Sequence, residues 1–314
     1  MPYRGIEKRE QNSLLLKRAE KSIALYFFLS KTRNMNQVRT FAYGITLVSL
    51  VLSNAGKQNE QKSLAASTEE GTLALVANGE DFVRQGFVSK DGWKINFDRL
   101  YVNFSNAAAY STESSFEPQK GDTKDSIKYQ NKAEFLNTPE TVDLAEGEAD
   151  AEPIVVAQAN VPTGFYNALT WQLSTADDNS PIAGDTIALQ GQATKDGQTI
   201  NFDLGFNQPG EYVCGEFVGE DRQGVVTADN PGQLEATFHF DHIFGDADTP
   251  AEDALNQDAL GFQPLANLAN NGTLQLNETE LASQLSEQEY QQLTEAVSGV
   301  GHVGEGHCVV NTVE

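Results

Sequence analysis

WKINFDRLYVNFSNAAAY, residues 93–110, alternates apolar and polar side chains through Ile95, Phe97, Leu100 and Val102. Successive side chains of a strand point to opposite faces, so this pattern offers one face to a core and the other to solvent. The alternation predicts a strand with a register change near Asp98-Arg99.

The same texture recurs outward from this stretch. Strands are expected upstream at residues 72–76 and 82–88, the second leading into a turn at Lys90-Asp91-Gly92. Downstream, residues 111–152 read as a polar, acidic surface excursion with one short strand at 141–144. Strands resume at 154–159, 164–173, 186–194, 199–206, 211–218, 224–227 and 234–244. Two segments match each other: KDGWKINFD at 90–98 and KDGQTINFD at 195–203, with seven identities in nine positions. Asp-Gly pairs tolerate the backbone angles of tight hairpin turns, so the match is either a duplicated hairpin or a shared device for starting two strands.

From Thr249 the pattern turns helical. Short helices are expected after Pro250, with Leu255, Ala259 and Leu260, and then at 264–269 and 279–285. Ser286-Glu287-Gln288-Glu289 has the spacing of a capping box and should start a helix running through Val297 to a stop at Gly299. The expected fold is mainly β: an antiparallel β-sandwich over residues 72–248, with a small α-helical C-terminal appendage over 249–314 packed on it.

The strands INFDRLYVNFSNAAAY (95–110) and VPTGFYNALTWQLS (161–174) resemble those of uncharacterised secreted bacterial proteins with a prealbumin-like β-sandwich domain. The resemblance covers the middle of the chain and rests on hydrophobic patterning. It implies a fold and an extracytoplasmic location, and no activity.

Export is also read from the N-terminal part. FAYGITLVSLVL, residues 41–52, follows Arg39 and precedes the small residues Ser53, Asn54, Ala55 and Gly56. That is the order of a secretory signal, and the apolar run is too short to span a bilayer as a helix. Met35 stands just before it, so residues 35–55 are expected to be the signal peptide, residues 1–34 a non-native extension and residues 56–71 a polar linker. An unusually long basic leader, or an uncleaved anchor, is the alternative. Past the signal the chain holds 12 basic against 42 acidic residues, a net charge of −30. Such a surface repels phosphate backbones and anionic headgroups, which excludes nucleic acid and, after signal cleavage, a membrane as partners. Cations, and another envelope protein, remain as expected partners in the periplasm or outside the cell.

All four histidines fall in two motifs, His239-Phe240-Asp241-His242 and His302-Val303-Gly304-Glu305-Gly306-His307. Imidazole is a common neutral nitrogen ligand for zinc, copper and nickel, and a site needs three or four donors converging from separate segments. On a regular strand His239 and Asp241 share one face while His242 projects from the other. The two histidines can therefore meet one ion only if the strand ends or bulges near Asp241; otherwise His239 and Asp241 form the pair. Gly304 and Gly306 would let His302 and His307 curl round a common point. The expected cofactor is a divalent metal, zinc first and copper second, held by His239, Asp241, His242, His302 and His307.

Four further readings accompany this one. Cys214 and Cys308 are expected to form a disulfide in an oxidising compartment, tying the tail to the β-rich part; as free thiols they would favour a thiolate and histidine site for zinc or copper(I). The acidic run Asp246, Asp248, Glu252 and Asp253 suits calcium in ligand type but lacks a full ligand ladder, and reads more simply as helix capping. Catalysis has little to stand on: no serine sits in a GxSxG elbow, and Glu305 is the one candidate base for a metal-dependent hydrolase, so the protein is not expected to be an enzyme. The competing function is a structural or carbohydrate-binding β-sandwich of the cell envelope, with Trp93 and Trp171 lining a sugar face.

Overall fold

The computed structural model describes residues 69–313, which are mainly β. The signal peptide, the N-terminal extension and all but the end of the linker lie outside the described residues. The strands are β1 (Glu70–Asn78), β2 (Phe87–Val88), β3 (Lys94–Thr112), β4 (Tyr129–Glu134), β5 (Glu140–Asp143), β6 (Ile154–Pro162), β7 (Gly164–Phe165), β8 (Ala168–Leu173) and β9 (Ile187–Lys195). They continue with β10 (Gln198–Phe206), β11 (Gly210–Cys214), β12 (Val225–Val226), β13 (Gly232–Phe238), β14 (Thr273–Asn277), β15 (Gly301–Val303), β16 (Gly306–His307) and β17 (Val309–Thr312). The helices are α1 (Glu80–Gln85), α2 (Asp241–Phe244), α3 (Ala254–Asp258), α4 (Gln263–Ala266), α5 (Glu278–Gln284) and α6 (Glu287–Ser298).

β3 is the centre of the larger sheet, whose order is β14-β10-β9-β3-β8-β11-β17, and β2, β4 and β5 also pair with it. Its register against β9 shifts between Phe97 and Arg99, at the expected place. The bulge switches parity, so that Ile95 before it and Leu100, Val102 and Phe104 after it are all buried on one core. A second shift between Ser105 and Ala108 returns Ala107 and Ala109 to that core.

Both repeated segments open on hairpin turns, and their strands flank β9 in register. Ile95, Ala193 and Ile200 form one cross-strand row, and Phe97, Gly191 and Phe202 another. Gly191 has no side chain for a physical reason: a Cβ there would run into the Asn96 carbonyl and come within 2.9 Å of the Phe202 ring. The Phe97 and Phe202 rings close over it edge to face at 6.0 Å.

The smaller sheet runs β16-β15-β13-β1-β6, and a two-stranded pair joins β7 to β12. Phe104 of β3 and Trp171 of β8 reach Phe238 of β13, at 5.5 and 6.3 Å between rings, so the two larger sheets share one core. The sheets are mixed, which corrects the expectation of antiparallel pairing throughout: β1 lies parallel to β13, and β10 parallel to β14. Parallel partners need a long crossover, and both pairs join segments far apart in the chain, where local turn chemistry carries no information about direction.

Two other expectations are corrected. Residues 82–88 are not one strand: Phe82 and Val83 lie in α1, and only Phe87 and Val88 pair with β3. Residues 234–244 are not one strand either; β13 ends at Phe238 and the chain turns into α2. The C-terminal residues hold the expected helices, including α6 with its Ser286-Glu289 capping box. They also supply β14 and β17 to the larger sheet and β15 and β16 to the smaller. A disulfide joins Cys214 of β11 to Cys308, between β16 and β17.

Candidate metal centre

Three local devices bring the four histidines together. After Phe238 the alternation of β13 gives way to buried positions at Phe240, Ile243 and Phe244, the i, i+3, i+4 spacing of a helical turn. The His242 amide donates to the His239 carbonyl at 3.2 Å, and this turn brings the two rings to 5.5 Å. The strand thus ends where joint ligation required it to. Downstream, β15 and β16 form a tight hairpin in which His302 and His307 are directly paired, with ring centroids at 4.5 Å. Gly304 at its tip has φ +59°, and a Cβ there would strike the Val218 carbonyl. β15 in turn pairs with β13, placing Thr237 opposite His302.

His302 is the hub: its ring lies 4.4 Å from His239 and 5.0 Å from His242, while His242 and His307 are 6.4 Å apart. His239 and His302 are buried, His242 is half-buried and His307 is exposed. One ligand atom each from His239, Asp241 and His242 lies within 4.8 Å of the other two. The disulfide at Cys308 and the bonding of Val218 to Val303 and Glu305 hold the hairpin in place.

The buried rings are oriented by backbone. His239 Nε2 lies 3.2 Å from the Gly304 carbonyl and His302 Nε2 lies 3.2 Å from the Gly299 carbonyl. A carbonyl only accepts, so Nε2 carries a proton in both rings, and in His302, whose pKa is lowered, Nδ1 keeps its lone pair. His302 Nδ1 is buried with no hydrogen-bond partner, and so is Asp241 Oδ1. Metal-bound histidines are commonly fixed in this way, with the second nitrogen donating to a backbone carbonyl or carboxylate. Burial, reinforced by the neighbouring rings, lowers the pKa of His302 to about 3 and that of His242 to about 4, so both are neutral at pH 7. Burial raises the pKa of Asp241, against the opposing pull of His239.

Glu80 belongs to this centre and was not read from the sequence. Its Oε2 lies 3.8 Å from His239 Nδ1, and burial raises its pKa. It sits at φ +61°, an unusual backbone for a side chain of this size, with its amide held by Asn78 Oδ1 at 2.9 Å. Asn78 also donates to Glu235, which accepts from Thr237, whose hydroxyl accepts from the Gly304 amide. No local pattern marks Glu80, because its position depends on the pairing of β1 with β13.

The remaining candidates fall elsewhere. Asp253 caps α3, and Asp246 accepts from the Asp248 amide and the Thr249 hydroxyl, so these two carboxylates serve local turns. Trp93 and Trp171 are 2 % and 0 % exposed and line the core, which removes them from any sugar-binding face. Glu305 is exposed at the hairpin tip, and its amide donates to Val218. Cys214 and Cys308, being bonded to each other, offer no thiolate. No protein-family model, curated protein or solved structure matches the chain.

Proposed function

We propose that His239, His242, His302 and His307, with Asp241, hold a divalent transition-metal ion, zinc first and copper second, in an exported protein that sequesters, delivers or senses it. The observation that carries this reading is the convergence of four imidazoles from separate segments, with a lone-pair nitrogen of the hub ring buried and unmatched. Donors at about 2.0–2.1 Å from one zinc ion stand roughly 3.4 Å apart, so binding draws His239, Asp241 and His242, whose ligand atoms lie within 4.8 Å of one another, inward, and the His302 and His307 rings toward them. The loss of the cysteines as thiolates favours zinc or copper(II) over copper(I).

Export and a periplasmic or extracellular site are part of the same proposal. They are supported by the signal-like sequence, the resemblance to secreted prealbumin-like β-sandwich proteins and the disulfide, which persists in oxidising compartments. No helix among the described residues is long and apolar enough to cross a membrane. The reading of the fold as a β-sandwich, with its C-terminal helices as an appendage, belongs here too and is supported by the core shared between the two larger sheets.

The test is metal content. Protein purified without chelator should carry close to one equivalent of zinc or copper by elemental analysis, and His302→Ala with His307→Ala should remove it. Unchanged metal content in that double variant, with circular dichroism intact, sinks the assignment. A wild type that neither carries nor takes up metal leaves the structural reading of the β-sandwich in its place.

A further inference from the structure

The four rings are not equivalent in their access to solvent. His239 and His302 are buried, and their Nε2 atoms face the Gly304 and Gly299 carbonyls. His242 and His307 instead line a cleft of about 680 Å³ that runs between α3 and α6. The volume lies within the roughly 300–1,000 Å³ of small-molecule sites and far exceeds what a bare ion needs. Its wall carries three carboxylates, Asp253, Asp258 and Glu295, and no lysine or arginine, with Leu255 and Ala296 giving it an apolar part. All three are exposed, and Asp253 also caps α3. Asp258 is close enough to His242 to act on its charge.

From this placement we infer that the cleft binds a small cationic ligand bearing a nitrogen donor, which reaches the metal from the His242 and His307 side and takes the coordination position of the exposed His307 ring. This inference rests on the metal assignment. The buried rings and Asp241 hold the ion from behind, and the cleft gives its open face to the ligand. The ion's charge favours any donor, so selection falls to the wall. Asp258 and Glu295 attract a positive tail and repel a carboxylate or phosphate, while Leu255 and Ala296 offer contact to a short apolar linker. The same polarity agrees with the charge of −30 past the signal, which already disfavours anionic ligands.

Cobalt(II) in the site gives a visible spectrum that reports a new donor directly. Three probes share one imidazole and differ in the tail: N-(3-aminopropyl)imidazole is cationic, N-propylimidazole neutral and N-(2-carboxyethyl)imidazole anionic. Titrated into the cobalt-loaded full chain at pH 7, they should bind in that order, with the cationic probe at least 10-fold tighter than the anionic one. Asp258→Asn with Glu295→Gln should shrink that ratio to below 3-fold and leave the cobalt spectrum without probe unchanged. Equal affinities for the three tails, or a ratio the double variant does not alter, overturn the inference. So does a cobalt spectrum that no probe perturbs, while the metal assignment stands. Failure of the wild type to take up cobalt or zinc at all removes the metal assignment, and the inference falls with it.

Discussion

The two ends of β9's neighbourhood and of β13 are built from the same material and finished differently. Where the repeated segments flank β9, Phe97, Phe202, Phe244 and Phe262 close ring against ring at 5.7 to 6.4 Å. Polar atoms there are matched: Trp93 Nε1 donates to Gln263, Asp91 accepts from the Gln263 amide and the Ser89 hydroxyl, and the Lys90 ammonium is taken by the Asn256 carbonyl. Where β13 ends, His302 Nδ1 and Asp241 Oδ1 are buried without partners, and the His302 and His242 rings are neutral with strongly lowered pKa. A buried polar atom left unmatched costs about 1–3 kcal/mol. The first region pairs these polar atoms under packed rings, and the second leaves two buried polar atoms unmatched.

The contrast breaks most visibly if the aromatic end is not the stability centre. Phe202→Ala opens a cavity beside Gly191 and between Phe97 and Phe262, and should lower the unfolding free energy by about 3–5 kcal/mol. Chemical denaturation with metal chelated measures it; a loss below 1 kcal/mol would mean that this end relaxes freely. Next in size is the crosslink. Cys214→Ser with Cys308→Ser frees a loop spanning 94 positions and should lose about 2–4 kcal/mol. Because Cys308 follows His307, hydrogen exchange should rise in β15 to β17 and not in β9 and β10. Uniform acceleration across both regions would contradict the division.

The same two ends were unequally legible. The aromatic end follows from local rules: period two in residues 93–110, a bulge at Asp98-Arg99, and Asp-Gly turns that start both repeats. The capping box at Ser286 was legible for the same reason, being a short pattern with one physical meaning, whereas the cysteine pair was read from the expected compartment, with free thiols as the alternative. At the histidine end the residue types were visible and their geometry was not. Phe238 and Phe240 prolong the strand pattern, and only the i, i+3, i+4 spacing of Phe240, Ile243 and Phe244 announces that a turn has begun. Glu80 was hidden because its place depends on β1 lying parallel to β13, a contact between segments about 160 residues apart that periodicity does not encode.

Acid should act on the histidine end first. The folded pKa values of about 3 for His302 and about 4 for His242 lie below the ordinary value near 6.5. As pH falls below about 6.5 the unfolded chain binds protons that the folded chain refuses, so this stability is complete above that pH and drains away down to about pH 4 for His242 and about pH 3 for His302. At pH 5 the loss is up to about 2 kcal/mol for each ring. Asp241 and Glu80 act oppositely, because their raised folded values make the folded chain take up protons sooner. Thermal unfolding of chelated protein at pH 7 and pH 5 should show a net decrease, and a higher Tm at pH 5 would put the carboxylates in control.

The smallest expected change is the most discriminating. His302→Leu removes the unmatched Nδ1, worth about 1–3 kcal/mol, together with the hydrogen bond to the Gly299 carbonyl, worth about 1 kcal/mol. An apolar side chain also gains from burial at a position 2 % exposed. The metal-free protein should therefore keep its stability to within about 1 kcal/mol, or gain slightly, and should lose part of its acid sensitivity. The stabilisation that excess zinc confers on the wild type should vanish in the variant, because ligand binding to the folded state alone is what raises Tm. A metal-free variant destabilised by 3 kcal/mol would show instead that His302 is a structural ring, holding the hairpin to Gly299, and that the histidine end is finished as completely as the aromatic one.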